Sequence, residues 1–200
     1  MDFVAIDFET GTREKNSAIS VGLVKFEGSE KTDSFYTLIR PPVLFIDPYN
    51  TSIHHLTIND VIDAPSFDNL FPQIKDFVGK LPFVAHNAGF DMGVLKATLI
   101  HYGIPVPQYK YFDSVHLSRK IFPELESHKL TSLGEYFGIE YDAHNALSDA
   151  DTCGQVVLNC AKRLLSQNKI KGPSKDLTTL TVQNFLKSAS VQLKVMQNVQ

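Results

Sequence analysis

With 200 residues, 43% of them apolar, the chain can fill one good core and has little left for a second domain. Charged residues make up 20%, and no stretch approaches the eighteen or more apolar residues of a membrane span, so a helical membrane protein is excluded. The opening residues, Met1-Asp2-Phe3-Val4, carry neither a basic leader nor a long apolar core, and a cytoplasmic location is expected.

The formal net charge of -3 is unevenly spread. Residues 1–151 hold 12 basic and 21 acidic side chains, whereas from Thr152 onward seven Lys and Arg face one acid, Asp176. An acidic body repels polyanions unless its acids hold cations or face away from the bound chain. The basic end is expected mainly as a solvated, flexible segment that can help attract nucleic acid. Cys153 and Cys160 fall in one expected helix, where a rise of about 1.5 Å per residue separates them by roughly 10 Å, too far for a disulfide. A reducing compartment follows.

In chain order, the apolar run 3–6 ending in acids reads as a buried strand. The β-rich runs 18–26 and 35–39 suggest a meander with it. Residues 41–65 contain four prolines and are expected as loop or short helix. Phe67, Leu70, Phe71, Ile74, Phe77 and Val78 follow helical spacing, with Pro72 expected to open the main helix. A strand over 81–85 and a helix from about 89 to 102 come next, the helix stopping at Gly103. Residues 109–115 supply a fifth strand. Helices are expected over 117–122, over 130–137 up to Gly138, and over 146–165. Strands followed by alternating helices and strands indicate an α/β architecture, a mixed five-stranded sheet flanked by helices. Residues 1–167 form the expected domain. Residues 168–200 are a polar, basic tail, flexible or partner-binding, in which Phe185, Leu186, Val191, Leu193 and Val195 can form one weak amphipathic helix.

Asp7 and Glu9 end the first strand, and side chains at i and i+2 of a strand point the same way. Two carboxylates so close raise each other's pKa unless they share a cation, and oxygen-only ligation suits Mg²⁺ or Mn²⁺. Asp91 opens a helix, where the dipole favours an anion. His144 lies on the loop before the last long helix, and Asp149 one turn inside it. Asp151, two residues on, faces away from Asp149. Phe8 and Phe90 are expected in the core.

Asp-x-Glu-Thr from Asp7, His-Asn-Ala-Gly-Phe-Asp from His86, and His-x-Ala-x-x-Asp from His144 occur in this order. Together they resemble the three motifs of the DEDDh (DnaQ-like) 3′→5′ exonuclease family, the proofreading-exonuclease branch of the ribonuclease H-like fold. The resemblance covers about residues 2–165. The segment Ile53-His54-His55-Leu56-Thr57 is similar to the family's Ile-His-Gly-Ile-Thr, and Phe112-Asp113-Ser114 with Arg119 and Pro123 to the stretch before the third motif. Two positions depart from the pattern: a glycine comes early in Thr10-Gly11-Thr12, and His55 replaces a glycine, adding bulk near the expected cleft.

The resemblance implies a two-metal phosphodiester hydrolase releasing nucleoside 5′-monophosphates. Asp7, Glu9 and Asp149 would hold one Mg²⁺ or Mn²⁺, Asp7 and Asp91 a second, and His144 would be the general base. It further implies that Thr10 meets the terminal nucleotide, with His54 and Asn87 as contacts to sugar or phosphate. The expected partners are nucleic acid 3′ ends, single-stranded DNA ahead of RNA, and a DNA polymerase or other replication or repair protein. No membrane is involved. Two alternatives remain open: a 3′→5′ exoribonuclease acting on short RNA, and a polymerase-associated module acting mainly through its tail.

Overall fold

The alternation of the first strand sets the layout of the computed structural model, which describes residues 1–197. In β1 (Phe3–Thr10), Phe3 and Ala5 enter one core cluster while Val4, Ile6 and Phe8 enter another. The sheet therefore separates two layers. β2 (Ala18–Glu27) and β3 (Glu30–Leu38) continue β1 as an antiparallel meander, with Asp7 directly opposite Gly22. On the other side of β1, β4 (Phe83–Ala85) and β5 (Lys110–Asp113) run parallel to it, so the carboxyl ends of β1, β4 and β5 share one edge. The helical crossovers that parallel strands require supply the layers.

Between β3 and β4 lie α1 (Pro48–His54), α2 (Ile58–Val61) and α3 (Phe67–Val78), and α4 (Gly89–His101) links β4 to β5. Phe67, Leu70, Phe71 and Ile74 of α3 and Val94, Leu95 and Leu99 of α4 cover the Val4–Ile6–Phe8 face. The opposite face is covered by α5 (Ser114–Ile121), α6 (Leu130–Phe137), α7 (Ala146–Ser166) and α8 (Val182–Ala189). Gly138 ends α6 at φ 66°, a left-handed cap that glycine adopts without strain. Cys153 and Cys160 are both free and buried on α7.

Five sequence expectations need correction. Among the described residues the sheet has six strands, not five: β6 (Lys194–Val195) adds antiparallel to β5. The amphipathic helix expected over residues 185–195 stops at Ala189, because Ser190 turns left-handed at φ 56° and the Val191 N–H caps Leu186 at 2.9 Å. No glycine advertises that stop. Residues 177–196 are not a solvated end, since Leu177, Leu180, Phe185 and Leu186 are buried in the main core and Met196 in the second. Pro72 sits inside α3; it and Asp68, whose carbonyl loses its helical partner, lie on the exposed side, where water can replace the bond. Finally, α5 begins three residues before the expected start, because the Asp113 side chain accepts from the N–H groups of Val115 and His116 and caps it there.

Candidate active site

Asp7 and Glu9 continue the Phe3–Ala5 side of β1, so the strand aims both carboxylates at the layer that contains α7. What brings α7 down to them is Gly22. A Cβ on Gly22 would stand 2.2 Å from the Ala146 carbonyl oxygen and 2.5 Å from the Leu147 nitrogen. The bare backbone of β2 thus lets the first turn of α7 lie against the sheet beside Asp7. Asn145 starts that turn, its side chain accepting from Leu147 N–H at 3.1 Å and Ser148 N–H at 3.3 Å. One turn in, Asp149 is buried. His144 precedes the cap with φ 63°, exposed on the loop. Glu9, His144 and Asp149 each offer a ligand atom, and these atoms lie within 4.8 Å of one another.

Asp91 arrives from the opposite layer. It sits buried in the first turn of α4, and its Oδ1 accepts from the Phe8 N–H at 3.1 Å, which ties α4 to β1. The turn before it is held by Ala88 N–H donating to Asp113 Oδ2 at 2.9 Å.

The four acids share a medium hostile to charge. Burial raises the Asp7 carboxyl well above its ordinary range, and Asp91, Asp149 and Glu9 raise it further. Glu9 is pushed up to about 8 by burial, then by Asp149 and Asp91. Asp91 also reaches about 8 through burial, against the lowering bond from Phe8. Burial raises Asp149 too, although the Tyr141 hydroxyl and His144 oppose it. Among the described residues no Lys or Arg pairs with any of the four. One oxygen, Asp149 Oδ1, is buried with no hydrogen-bond partner. Such a set of hard oxygen donors, uncompensated and partly orphaned, fits divalent cations.

These shifts have a measurable consequence. A carboxyl whose folded pKa is raised contributes stability below its unfolded pKa and loses it as pH rises through the folded value. Metal-free protein is therefore expected to lose stability between about pH 4.5 and 8, as Glu9 and Asp91 ionise. A loss on the order of a few kcal/mol would lower Tm by roughly 5–10 °C. Thermal unfolding in EDTA, and again with saturating Mg²⁺, checks this; Mg²⁺ should flatten the curve. Metal-free stability that rises across the window would contradict it.

Thr10 and His54 meet at a cavity of about 280 Å³ beside Glu9, together with Tyr49, Ile53 and Phe90. The Thr10 carbonyl accepts from Asn50 Nδ2 at 2.8 Å. His54 Nδ1 accepts from Leu56 N–H at 3.1 Å, and its Nε2 is buried on the Thr10 side of the ring. Asn87 does not join them: left-handed at φ 73° and exposed, it lines a different groove. Phe90 is 42% exposed at the cavity rim rather than in the core, because the adjacent Asp91 and Met92 take the inward positions of that turn. Phe8 is buried as expected. His55 is also displaced from its expected place. It caps α1 at φ 61°, exposed, and is not among the residues lining the cavity. The early Gly11 packs tightly, its added Cβ falling 3.1 Å from the Phe45 carbonyl oxygen. Asp151 pairs with Lys31 at 2.9 Å, away from the acids.

Sequence reading missed two contributors. Gly22, inside an otherwise apolar strand, was legible as a point of close backbone approach. Tyr141 gave no local signal; burial raises its phenol pKa first, and the Asp149 carboxylate it faces raises it further.

A crowded carboxylate cluster on a sheet edge, with an imidazole at its mouth and the cavity of about 280 Å³ beside it, is a donor set suited to a metal-assisted hydrolase. Residues 4–157 match the family described as Exonuclease. DNA polymerase III PolC-type of Clostridium perfringens (strain 13 / Type A) is 33% identical over 173 residues, 84% of this chain and 12% of that protein. The 3′-5′ exonuclease DinG of Bacillus subtilis (strain 168) is 30% identical over 166 residues, 81% of this chain and 18% of that protein. The chain thus spans less than a fifth of either curated relative. Among solved structures, the nuclease domain of 3′hExo, a DEDDh family member bound to rAMP, matches with a TM-score of 0.67 at 21% identity, covering 83% of this chain and 92% of that one. The chain belongs to the exonuclease family. Among the described residues no helix is long and apolar enough to cross a membrane.

Proposed function

We propose that this domain removes nucleoside 5′-monophosphates from DNA 3′ ends, single strands in preference, as a proofreading or repair activity linked to a DNA polymerase. The observation that carries the reading is the convergence of Asp7, Glu9, Asp91 and Asp149 around the unpartnered Asp149 Oδ1. Asp7, Glu9 and Asp149 would hold one Mg²⁺ or Mn²⁺, and Asp7 with Asp91 would hold the second. When bound, the pair of ions neutralises charge on the phosphodiester and on the attacking and leaving oxygens. His144, on its exposed loop next to Glu9 and Asp149, takes the proton of the attacking water. Thr10 and His54 bind the terminal nucleotide in the cavity beside Glu9. Asn87 contacts the strand on the far side of the acids. The PolC-type relative, named as a DNA polymerase III, supports polymerase-linked work on DNA, and the DinG relative, named as a 3′-5′ exonuclease, supports the polarity. The 3′hExo domain bound to rAMP keeps a ribonucleotide end as the second reading.

The test is a digestion of 5′-labelled single-stranded DNA, mismatched-end duplex and short RNA, with Mg²⁺, Mn²⁺ or EDTA. Ladders shortening from the 3′ end are expected with either metal and none in EDTA, with DNA cleaved faster than RNA. Faster cleavage of RNA would establish the second reading. Full activity in EDTA, or release of the 5′ label as the first product, would overturn both.

A further inference from the structure

A second charged surface begins where the active site ends. His86 and Asn87, at the carboxyl end of β4, open into a cavity of about 560 Å³ between the start of α5 and residues 126–130. A neighbouring cavity of about 380 Å³, between α5 and residues 190–194, shares Asp113, His116 and Arg119 with it. The two form one groove along the carboxyl edge of β4 and β5 and out past β6.

Its charge is lopsided. Arg119, Lys120, Lys129 and Lys194 line it, all four exposed, and among the described residues none forms an ion pair. Of the two acids present, Asp113 is occupied by the N–H groups of Ala88, Val115 and His116. Glu126 alone remains to offset four cations, in a chain whose net charge is -3. Burial lowers the pKa of His86 and His128, and the Arg119 charge lowers both further, so these two histidines add little to the permanent charge of Arg and Lys in the groove. A polyanion is the complement of such a surface.

Position makes the polyanion specific. Along the sheet edge the cavity holding Thr10 and His54 lies at β1, the carboxylates beside it, and the groove at β4, β5 and β6. β5 is two strand spacings from β1, roughly 10 Å, which is a few nucleotides of extended chain. We propose that this groove binds the phosphates of the strand 5′ of the scissile bond, holding a polynucleotide while its 3′ end is cleaved. The inference rests on the exonuclease reading above and adds the path of the substrate to it. It also assigns Lys194, from the segment that sequence alone leaves as a tail, to substrate binding.

The test uses the charge-removing variant R119A/K120A/K194A and the charge-keeping variant R119K/K120R/K194R. Anisotropy of a labelled single-stranded oligonucleotide of about 20 residues, titrated in EDTA across roughly 50 to 300 mM salt, reads binding without cleavage. Losing three phosphate contacts should flatten the slope of log K against log salt by about 2. With metal, KM for the oligonucleotide should rise roughly tenfold or more. Turnover of the nitrophenyl ester of thymidine 5′-monophosphate, which has no upstream phosphates, should be unchanged. The charge-keeping variant should follow wild type in all three. An unchanged salt slope and KM in a folded R119A/K120A/K194A protein would overturn the groove and leave the exonuclease reading intact. Wild-type protein inert toward both ester and oligonucleotide would instead strike the exonuclease reading, and the slope in EDTA would still decide the groove. Should the triple variant fail to fold, K120Q/K194Q carries the same test with a slope change of about 1.4.

Discussion

Asp7→Asn is expected to abolish hydrolysis while making the metal-free protein more stable. The substitution keeps the shape of the side chain and removes one charge from a cluster in which burial and three other acids all oppose ionisation. If Asp7 is the ligand both ions share, its loss forfeits several kcal/mol of transition-state charge stabilisation, roughly a thousandfold or more in rate. Stability moves the other way, because the uncharged amide loses less on burial than the carboxylate and no longer repels Asp91, Asp149 and Glu9. Near pH 8 in EDTA the variant should therefore unfold at a higher temperature than wild type, and Mg²⁺ should raise Tm for wild type only. Turnover and thermal unfolding, each with and without metal, read both effects. A variant that keeps wild-type turnover, or gains as much from Mg²⁺, would remove Asp7 from the centre of the site.

Gly22→Ala should damage the site without touching any ionisable group. Its Cβ would stand 2.2 Å from a backbone oxygen and 2.5 Å from a backbone nitrogen of α7, and neither belongs to a side chain that can rotate away. The first turn of α7 must then lift by about 1 Å to restore ordinary contact. Asp149 lies in that turn and His144 just before it. Overpacking costs about 1–3 kcal/mol, and a misplacement of about 1 Å at a reacting centre can cost roughly a hundredfold in rate. Gly154→Ala is the control. There the added Cβ meets the buried Phe26 ring at 2.0 Å, more than one helical turn beyond Asp149. It should lose comparable stability and keep most of its activity per folded molecule. Equal activity losses in the two variants, measured at a temperature where both are folded, would show that Gly22 does not set the position of the acids.

How far the site could be read beforehand follows from how local each feature is. The acids Asp7 and Glu9 share a face because a strand repeats every two residues, and that holds in any tertiary setting. The bounds of α6 and the start of α7 were legible because Gly138 and Asn145 act on their own neighbours. Phe90 was misjudged for the converse reason. Helical spacing tells which residues share a side but not which side faces the sheet, and α4 turns Asp91 inward there. Pro72 was misjudged because a proline inside a helix is tolerated only where solvent can take over a lost bond, which depends on exposure.

By itself the sequence determined the chemical inventory, four carboxylates and an imidazole in family order, and the strand and helix ends that carry them. Motif spacing and backbone periodicity are properties of neighbouring residues, so no packing is needed to establish them. The tertiary structure decided what those groups do to one another. It laid α7 across Gly22, turned the acids into a crowded cluster with raised pKa values, and left Asp149 Oδ1 without a partner. It also folded residues 177–196 back onto the core as α8 and β6, which sets Lys194 beside Arg119 along one groove. Each of these depends on which surfaces meet across long stretches of chain, and burial is a property of the packed whole rather than of any residue in the sequence.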